Sequence, residues 1–288
     1  MIDLRPARIT VVLAAFLALA VPVAATDWSP PIGIPSPSFG IFETAPASPA
    51  PWTASTPGFY YVDATNSSSS DSNNPYGTPG KPRRTLPGEL PAGSVVELHG
   101  SYDTGHSIVA QGTNSRPVYI RGVSVDKRPL VRRGWEIKGT YAILENLEFG
   151  PTSDQSNTGS LVIRLPASHI VLRHSDVHGT LKGGGLGIVN WEVGYGEIYT
   201  GTGVIDNVVI YDNTIHDNGD VLAKTDQDVH GIGVTTTFTI CGSSTISSTA
   251  TAATGFRSSP PAKGRPRRRI TFMSAGTLRI TTSRPGSG

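Results

Sequence analysis

Cysteine is almost missing: Cys241 stands alone in 288 residues. One thiol excludes an internal disulfide framework and any cysteine-based metal site. A helical period is missing too. Beyond Ala25 no apolar residues recur at spacings of three and four, which excludes a helix bundle. Acidic residues are absent after Val234, where Arg257, Lys263, Arg265, Arg267, Arg268, Arg269, Arg279 and Arg284 lie. With these eight of the 24 basic residues in the tail, the rest of the chain holds 16 basic against 22 acidic groups. The body is acidic, and the formal charge of +2 comes from the tail. That balance removes the main support for nucleic acid as a partner.

Only one apolar run approaches membrane length. Ile9 to Leu19 follows Arg5 and Arg8, ends near Pro22 and leads into the small residues Val23-Ala24-Ala25. It is shorter than the roughly 20 residues of a spanning helix and has the flanks of a signal peptide. The expectation is cleavage after Ala25, export to an extracellular or periplasmic location, and no membrane association afterwards. Residues 26–57, rich in Pro, Ser and Ala, read as an extended, disordered spacer. Order is expected from Phe59-Tyr60-Tyr61-Val62-Asp63 onward.

What is present is a repeat. Leu144-Glu-Asn-Leu-Glu-Phe149-Gly150, Leu172-Arg-His-Ser-Asp-Val177-His178-Gly179 and Ile210-Tyr-Asp-Asn-Thr-Ile215-His216-Asp-Asn-Gly219 share one pattern. An apolar residue is followed by four mostly polar ones, a second apolar residue and then a glycine. A short β-branched strand precedes each: Ala142-Ile143, His169-Ile170-Val171 and Asn207-Val208-Val209. The steps from Leu144 to Leu172 and from Leu172 to Ile210 are 28 and 38 residues. Insertions such as Asn190 to Asp206 account for the uneven spacing. Further short strands are predicted at Val95–Leu98, Pro117–Ile120, Leu161–Ile163, Leu186–Val189 and Gly231–Val234, separated by Gly, Asn, Asp or Pro. Strand, polar turn and glycine at coil-length intervals predict an all-β solenoid.

Two stretches give a resemblance. One is Tyr60-Tyr61-Val62-Asp63, Asp71, Asn74-Pro75-Tyr76-Gly77-Thr78, Lys81-Pro82 and Thr85, continuing into Leu90 to Leu98. The other is the repeat set ending in Asp212-Asn213-Thr214-Ile215-His216. Over residues 58–234 the chain resembles the right-handed parallel β-helix family, the pectate-lyase-like fold of many secreted polysaccharide-active proteins. The resemblance implies a single-stranded parallel β-helix with an N-terminal cap. It also implies a monomer acting on an extracellular, acidic polysaccharide by lyase or glycoside hydrolase chemistry. A non-catalytic carbohydrate-binding or surface β-helix is the alternative, since one fold hosts several chemistries.

The densest polar cluster supplies the candidate chemistry. Lys224, Asp226, Asp228 and His230 run into the strand at Gly231. A lyase needs a base for the proton α to a uronate carboxylate and a cation to hold the developing charge. His230 suits the base and Lys224 the cation. Asp226 and Asp228, two residues apart, share a face if extended and suit Ca²⁺. In a hydrolase the two carboxylates would flank the glycosidic bond. Without such a role these residues form a solvated loop between coils. Trp191, Tyr195 and Tyr199 in the long insertion suit stacking on sugar rings. His174, His178 and His216 form a histidine ladder that could bind metal or simply face water. Asn213 reads as a structural turn residue.

After Val234 the repeat stops without a cap. One base back, the codon choices for residues 238–257 and 269–288 permit strings that restore the apolar spacing. The expectation is therefore a solenoid truncated at its C-terminal end by a shifted reading frame. Residues 235–288 would then be a basic, low-complexity tail without stable structure.

Overall fold

The structure is a computed structural model that describes residues 40, 52–151, 160–181, 184–189, 205–219 and 231–234. In chain order the strands are β1 (Phe59–Asp63), β2 (Glu89–Pro91), β3 (Val95–His99), β4 (Ser101–Tyr102), β5 (His106–Gln111), β6 (Val118–Gly122), β7 (Leu130–Val131) and β8 (Trp135–Glu145). Then follow β9 (Glu148–Phe149), β10 (Leu161–Arg173), β11 (Asp176–His178), β12 (Leu186–Val189), β13 (Ile205–Asp206), β14 (Val209–Tyr211), β15 (Thr214–His216) and β16 (Ile232–Val234). The described chain is all-β, and every pairing between named strands is parallel.

The strands form a sheet of 11 and a sheet of five. The larger sheet contains two rows, because β8 and β10 each run through a corner. The first half of β8 pairs with β5 and its second half with β6. At the corner Gly139 and Tyr141 have positive φ, as does His169 in β10, and the rings of Tyr141 and His169 stack at 4.2 Å. Row one is β1, β3, β6, the second halves of β8 and β10, and β14. Row two is the five-stranded sheet β4, β7, β9, β11, β15. Row three is β2, β5, the first halves of β8 and β10, β12 and β16. The chain visits rows three, one and two in turn. Strands expected to be short are thus joined into runs of 11 and 13 in β8 and β10. The end of the expected insertion, Ile205–Asp206, is itself strand β13, paired with Ala167 and Ser168.

The register places the repeat as the spacing predicts. Leu172 pairs with Leu144 on one side and Ile210 on the other. Val177 pairs with Phe149 and Ile215. Between each pair the chain turns through one left-handed residue: Asn146, His174 and Asp212. Side chains on the inward face of all three rows meet in one core. Val96, Ile120, Leu144, Leu172 and Ile210 come from row one, Phe149, Val177 and Ile215 from row two, and Ile137, Ile163 and Ile188 from row three. Parallel strands bury both ladder and side chains, and truncating one such Leu or Ile costs roughly 2–5 kcal/mol.

Polar side chains complete the turns. Buried Asn213 donates from Nδ2 to the Leu172 carbonyl at 2.8 Å, while its Oδ1 accepts from the Ser175 amide at 2.9 Å. Ser175 in turn accepts from the Leu147 amide. Asn213 is structural, as its place in the repeat suggests. At the N-terminal end, Asn74 Nδ2 donates to the carbonyls of Ser70, Lys81 and Pro82. Asp71 accepts from the Arg84 and Thr85 amides and the Thr85 hydroxyl. These are residues on which the resemblance rests, and they tie the loop before β2 into a closed knot.

Candidate functional site

Lys224, Asp226, Asp228 and His230, and likewise Trp191, Tyr195 and Tyr199, lie outside the described residues. Their attachment points do not. The aromatic segment leaves β12 after Val189 and returns at β13. The Asp-rich segment leaves after Gly219 and returns at Gly231, whose carbonyl accepts from the Leu186 amide at 2.8 Å. Because β12 and β16 pair in register, Leu186 with Ile232 and Gly187 with Gly233, the two segments attach at opposite ends of the same short strands in row three.

The outward face of row three lies between those ends. Along β8, Trp135 and Ile137 point inward while Glu136 and Lys138 are partly exposed; along β10, Leu161 and Ile163 are buried and Val162 and Arg164 are not. The period-two alternation fixes these assignments. Arg164 Nη2 meets Glu136 Oε1 at 2.8 Å. Lys138 follows Ile137 and Arg164 follows Ile163, residues that pair directly. Two cations, Lys138 and Arg164, and two carboxylates, Glu136 and Glu89, therefore share this face, Glu89 standing in line with Lys138 through Val109.

Toward the last coils the face loses its side chains. Val162 pairs with Gly187, and Gly187 with Gly233. A Cβ built at Gly233 meets nothing within 4 Å. Glycine in a strand often marks a place where another molecule approaches the backbone. Here it leaves the line Glu136, Val162, Gly187, Gly233 without side chains at its far end, between the attachment points of the aromatic and Asp-rich segments. Of the two carboxylates on the described part of this face, Glu136 is held by Arg164, while Glu89 is exposed on the line it shares with Val109 and Lys138.

The histidine ladder separates into two arrangements. His178 and His216 pair in register on row two, with rings stacked at 5.1 Å. His178 Nε2 lies 3.0 Å from Glu148 Oε1, and His216 lies 3.1 Å from Asp176 and 2.7 Å from Asp217. His174 sits instead in the turn, 2.9 Å from Asp212. Among the described residues no group of three or more His, Cys, Asp or Glu is placed to hold a metal ion.

Sequence reasoning missed two charged sets. Glu136 and Lys138 were hidden because Gly134 and Gly139 make their segment resemble a turn, and Arg164 because it lies just past the predicted strand Leu161–Ile163. The second set is larger. Glu97 pairs in register with Arg121, Arg121 with Glu145, and Glu145 with Arg173. All four are buried, on the outward face of row one. Arg173 meets Glu145 Oε2 at 2.7 Å and 2.8 Å through two nitrogens, and Arg121 lies 3.8 Å from Glu97. The signal was present: in each strand the charge follows the inward apolar residue, with alternating sign from coil to coil.

No family model matches the chain, and no curated protein matches it. Among solved structures it is similar to the crystal structure of pectate lyase Pel9A, at 15% sequence identity and a TM-score of 0.37. The match covers 66% of this chain and 62% of the other, so the chain spans less than two thirds of that protein's length. No helix among the described residues is long and apolar enough to cross a membrane.

Proposed function

We propose that this chain is an exported right-handed parallel β-helix protein that acts on an acidic extracellular polysaccharide by lyase or glycoside hydrolase chemistry. One observation carries the reading. The Asp-rich and aromatic segments attach at opposite ends of β12 and β16, across the glycine floor at the far end of the line from Glu136. A polymer lying along the floor would run between the attachment points of the two segments that carry the candidate residues.

In the lyase form, Arg164, Lys138 and Lys224 draw a uronate carboxylate onto the face. Their charge favours the electron density that builds up when the α-proton leaves. His230 takes that proton, the electron pair forms the new double bond, and the glycosidic oxygen departs. In the hydrolase form, Asp226 and Asp228 supply the acid and the base or nucleophile. Ca²⁺ on Asp226 and Asp228 enters as a variable of the experiment, with no step assigned to it.

The test is to incubate the purified chain, and a version with the reading frame restored after Val234, with uronate-containing polysaccharides. Unsaturated products are read by ultraviolet absorbance and reducing ends by titration, with added Ca²⁺ or chelator. Lyase activity gives both signals, hydrolase activity reducing ends alone. Absence of both signals and of polysaccharide retention in the two proteins would sink the reading. Retention without products selects the second reading, a non-catalytic carbohydrate-binding protein. One observation favours that alternative: Glu136 on the described part of the face is tied to Arg164.

A further inference from the structure

The outward face of row one carries an apolar line, Phe59, Val95, Tyr119, Ile143, Val171 and Val209, with the charged ladder beside it. Past the ladder the strands end in the turns that lead to row two. Four of these turns are short. The chain makes the corner through Gly100 between β3 and β4, and through Asn146, His174 and Asp212 in the later pairs, with one or two residues joining the strands. The turn from β6 to β7 differs, because residues 123–129 intervene. Its neighbours make the same corner without them, so the fold does not need the extra length. Insertions on a rigid scaffold are where binding residues concentrate.

The inserted turn is anchored. At its tip the Lys127 amide donates to the Ser124 carbonyl at 3.1 Å. The Leu130 amide donates to the Gly100 carbonyl at 2.9 Å, and Arg128 Nε to the His174 carbonyl at 3.1 Å. At its base Gly122 is packed so closely that a Cβ would overlap the Asn146 carbonyl and the Pro129 ring. Yet the turn leaves Val123 and Val125 each 48% exposed, the two large apolar side chains that stand out among the described residues.

Between this turn and the one at Gly100 lies a cavity of about 460 Å³, within the usual range for ligand pockets. His99 and Ser101 line one side, and Val123, Lys127 and Arg128 line the other. The lining holds two cations and an imidazole but no carboxylate. Among the described residues neither Lys127 nor Arg128 has an acidic partner. His99 is held in place, its ring stacked on Tyr61 at 4.3 Å and its Nε2 3.0 Å from Glu97 Oε1. Glu97 is shared with Arg121, 3.8 Å away, and Asp126 stands exposed at the tip of the turn.

We infer that this pocket binds one uronate residue of a saccharide, its carboxylate on Lys127 and Arg128 and its C–H face on Val123. The preference for an anion follows from the lining, whereas the choice of a uronate rests on the acidic polysaccharide proposed above. The pocket stands at the corner of rows one and two, apart from the outward face of row three. It holds a polymer without cleaving it.

Titration of the intact protein with a galacturonate trimer tests this, followed through the histidine ring signals in proton–carbon NMR spectra. The trimer should shift the His99 signal, assigned with His99→Gln, in the wild-type protein and equally in Arg164→Met. Lys127→Glu should weaken that response roughly tenfold or more, as loss of a hydrogen bond to a charged group requires. The His106 signal should stay in place in that variant, which reports an intact fold. The fully methyl-esterified trimer should also bind roughly tenfold more weakly, since it offers no charge. An unmoved His99 signal overturns the proposal, as does an equal response in Lys127→Glu or to the ester. Sulfate or a triglutamate peptide acting at the trimer's concentration overturns the saccharide assignment. Products absent while the His99 response stands would remove the enzyme and keep the pocket. Retention that depends on Arg164 and not on Lys127 would do the reverse.

Discussion

Rows one and three are built from the same kind of strand in the same parallel register, yet their outward faces are opposites. Row one carries outward a packed apolar line and a ladder of paired charges, all shielded from water. Row three carries an ion pair, a lysine and then two glycines in line, partly open. The inward faces of the two rows are interchangeable apolar stacks. The comparison teaches that the core residues specify the fold, whereas the outward residues decide whether a face is sealed or available.

The sharpest way to break the contrast is to make the same substitution on both faces. Arg173→Met leaves Glu145 Oε2 buried without the two nitrogens that meet it, which should cost about 3–5 kcal/mol in urea unfolding. Arg164→Met removes a more exposed pair, worth about 0–1 kcal/mol, and should weaken polysaccharide retention instead. Equal losses of stability would erase the distinction. Asn213→Leu comes next. It strands the Ser175 amide and the Leu172 carbonyl inside the stack, a loss of roughly 1–3 kcal/mol measurable in the same assay.

Two smaller effects sharpen the picture. Gly233→Val should leave thermal stability within about 0.5 kcal/mol, because its Cβ enters open space, while reducing polysaccharide retention. A stability loss without any change in retention would mean the floor has no binding role. The last effect is a slope with pH. Burial lowers the His106 pKa, so the folded chain resists a proton that the unfolded chain accepts. Stability should hold above about pH 6.5 and decline as pH falls from there through the lowered value. His106→Gln should flatten that slope in urea midpoints measured across the range.

The fold was legible where one physical demand acted alone. Leu144, Leu172 and Ile210, and then Phe149, Val177 and Ile215, had to be apolar and equally spaced, so counting found their register. The two-residue strands β4 and β7 escaped because they are too short to show a period. Row three's Trp135–Lys138 escaped because its flanking glycines imitate a turn. The charged ladder was missed for another reason. A charge in sequence reads as a solvated face, and only the register shows that each is opposite its counter-ion. The candidate chemistry at Lys224, Asp226, Asp228 and His230 lies outside the described residues, so the structure speaks to its attachment points alone.

The alternating charges carry one more consequence. Parallel strands laid side by side have a recognition problem: the apolar residues of one strand fit almost any other, so a strand could be skipped and the core still look satisfied. Glu97, Arg121, Glu145 and Arg173 act as a parity check on that assembly. Omitting one strand sets acid against acid or arginine against arginine in a site shielded from water, where like charges repel strongly. The ladder thus favours the strand order in which the chain presents them.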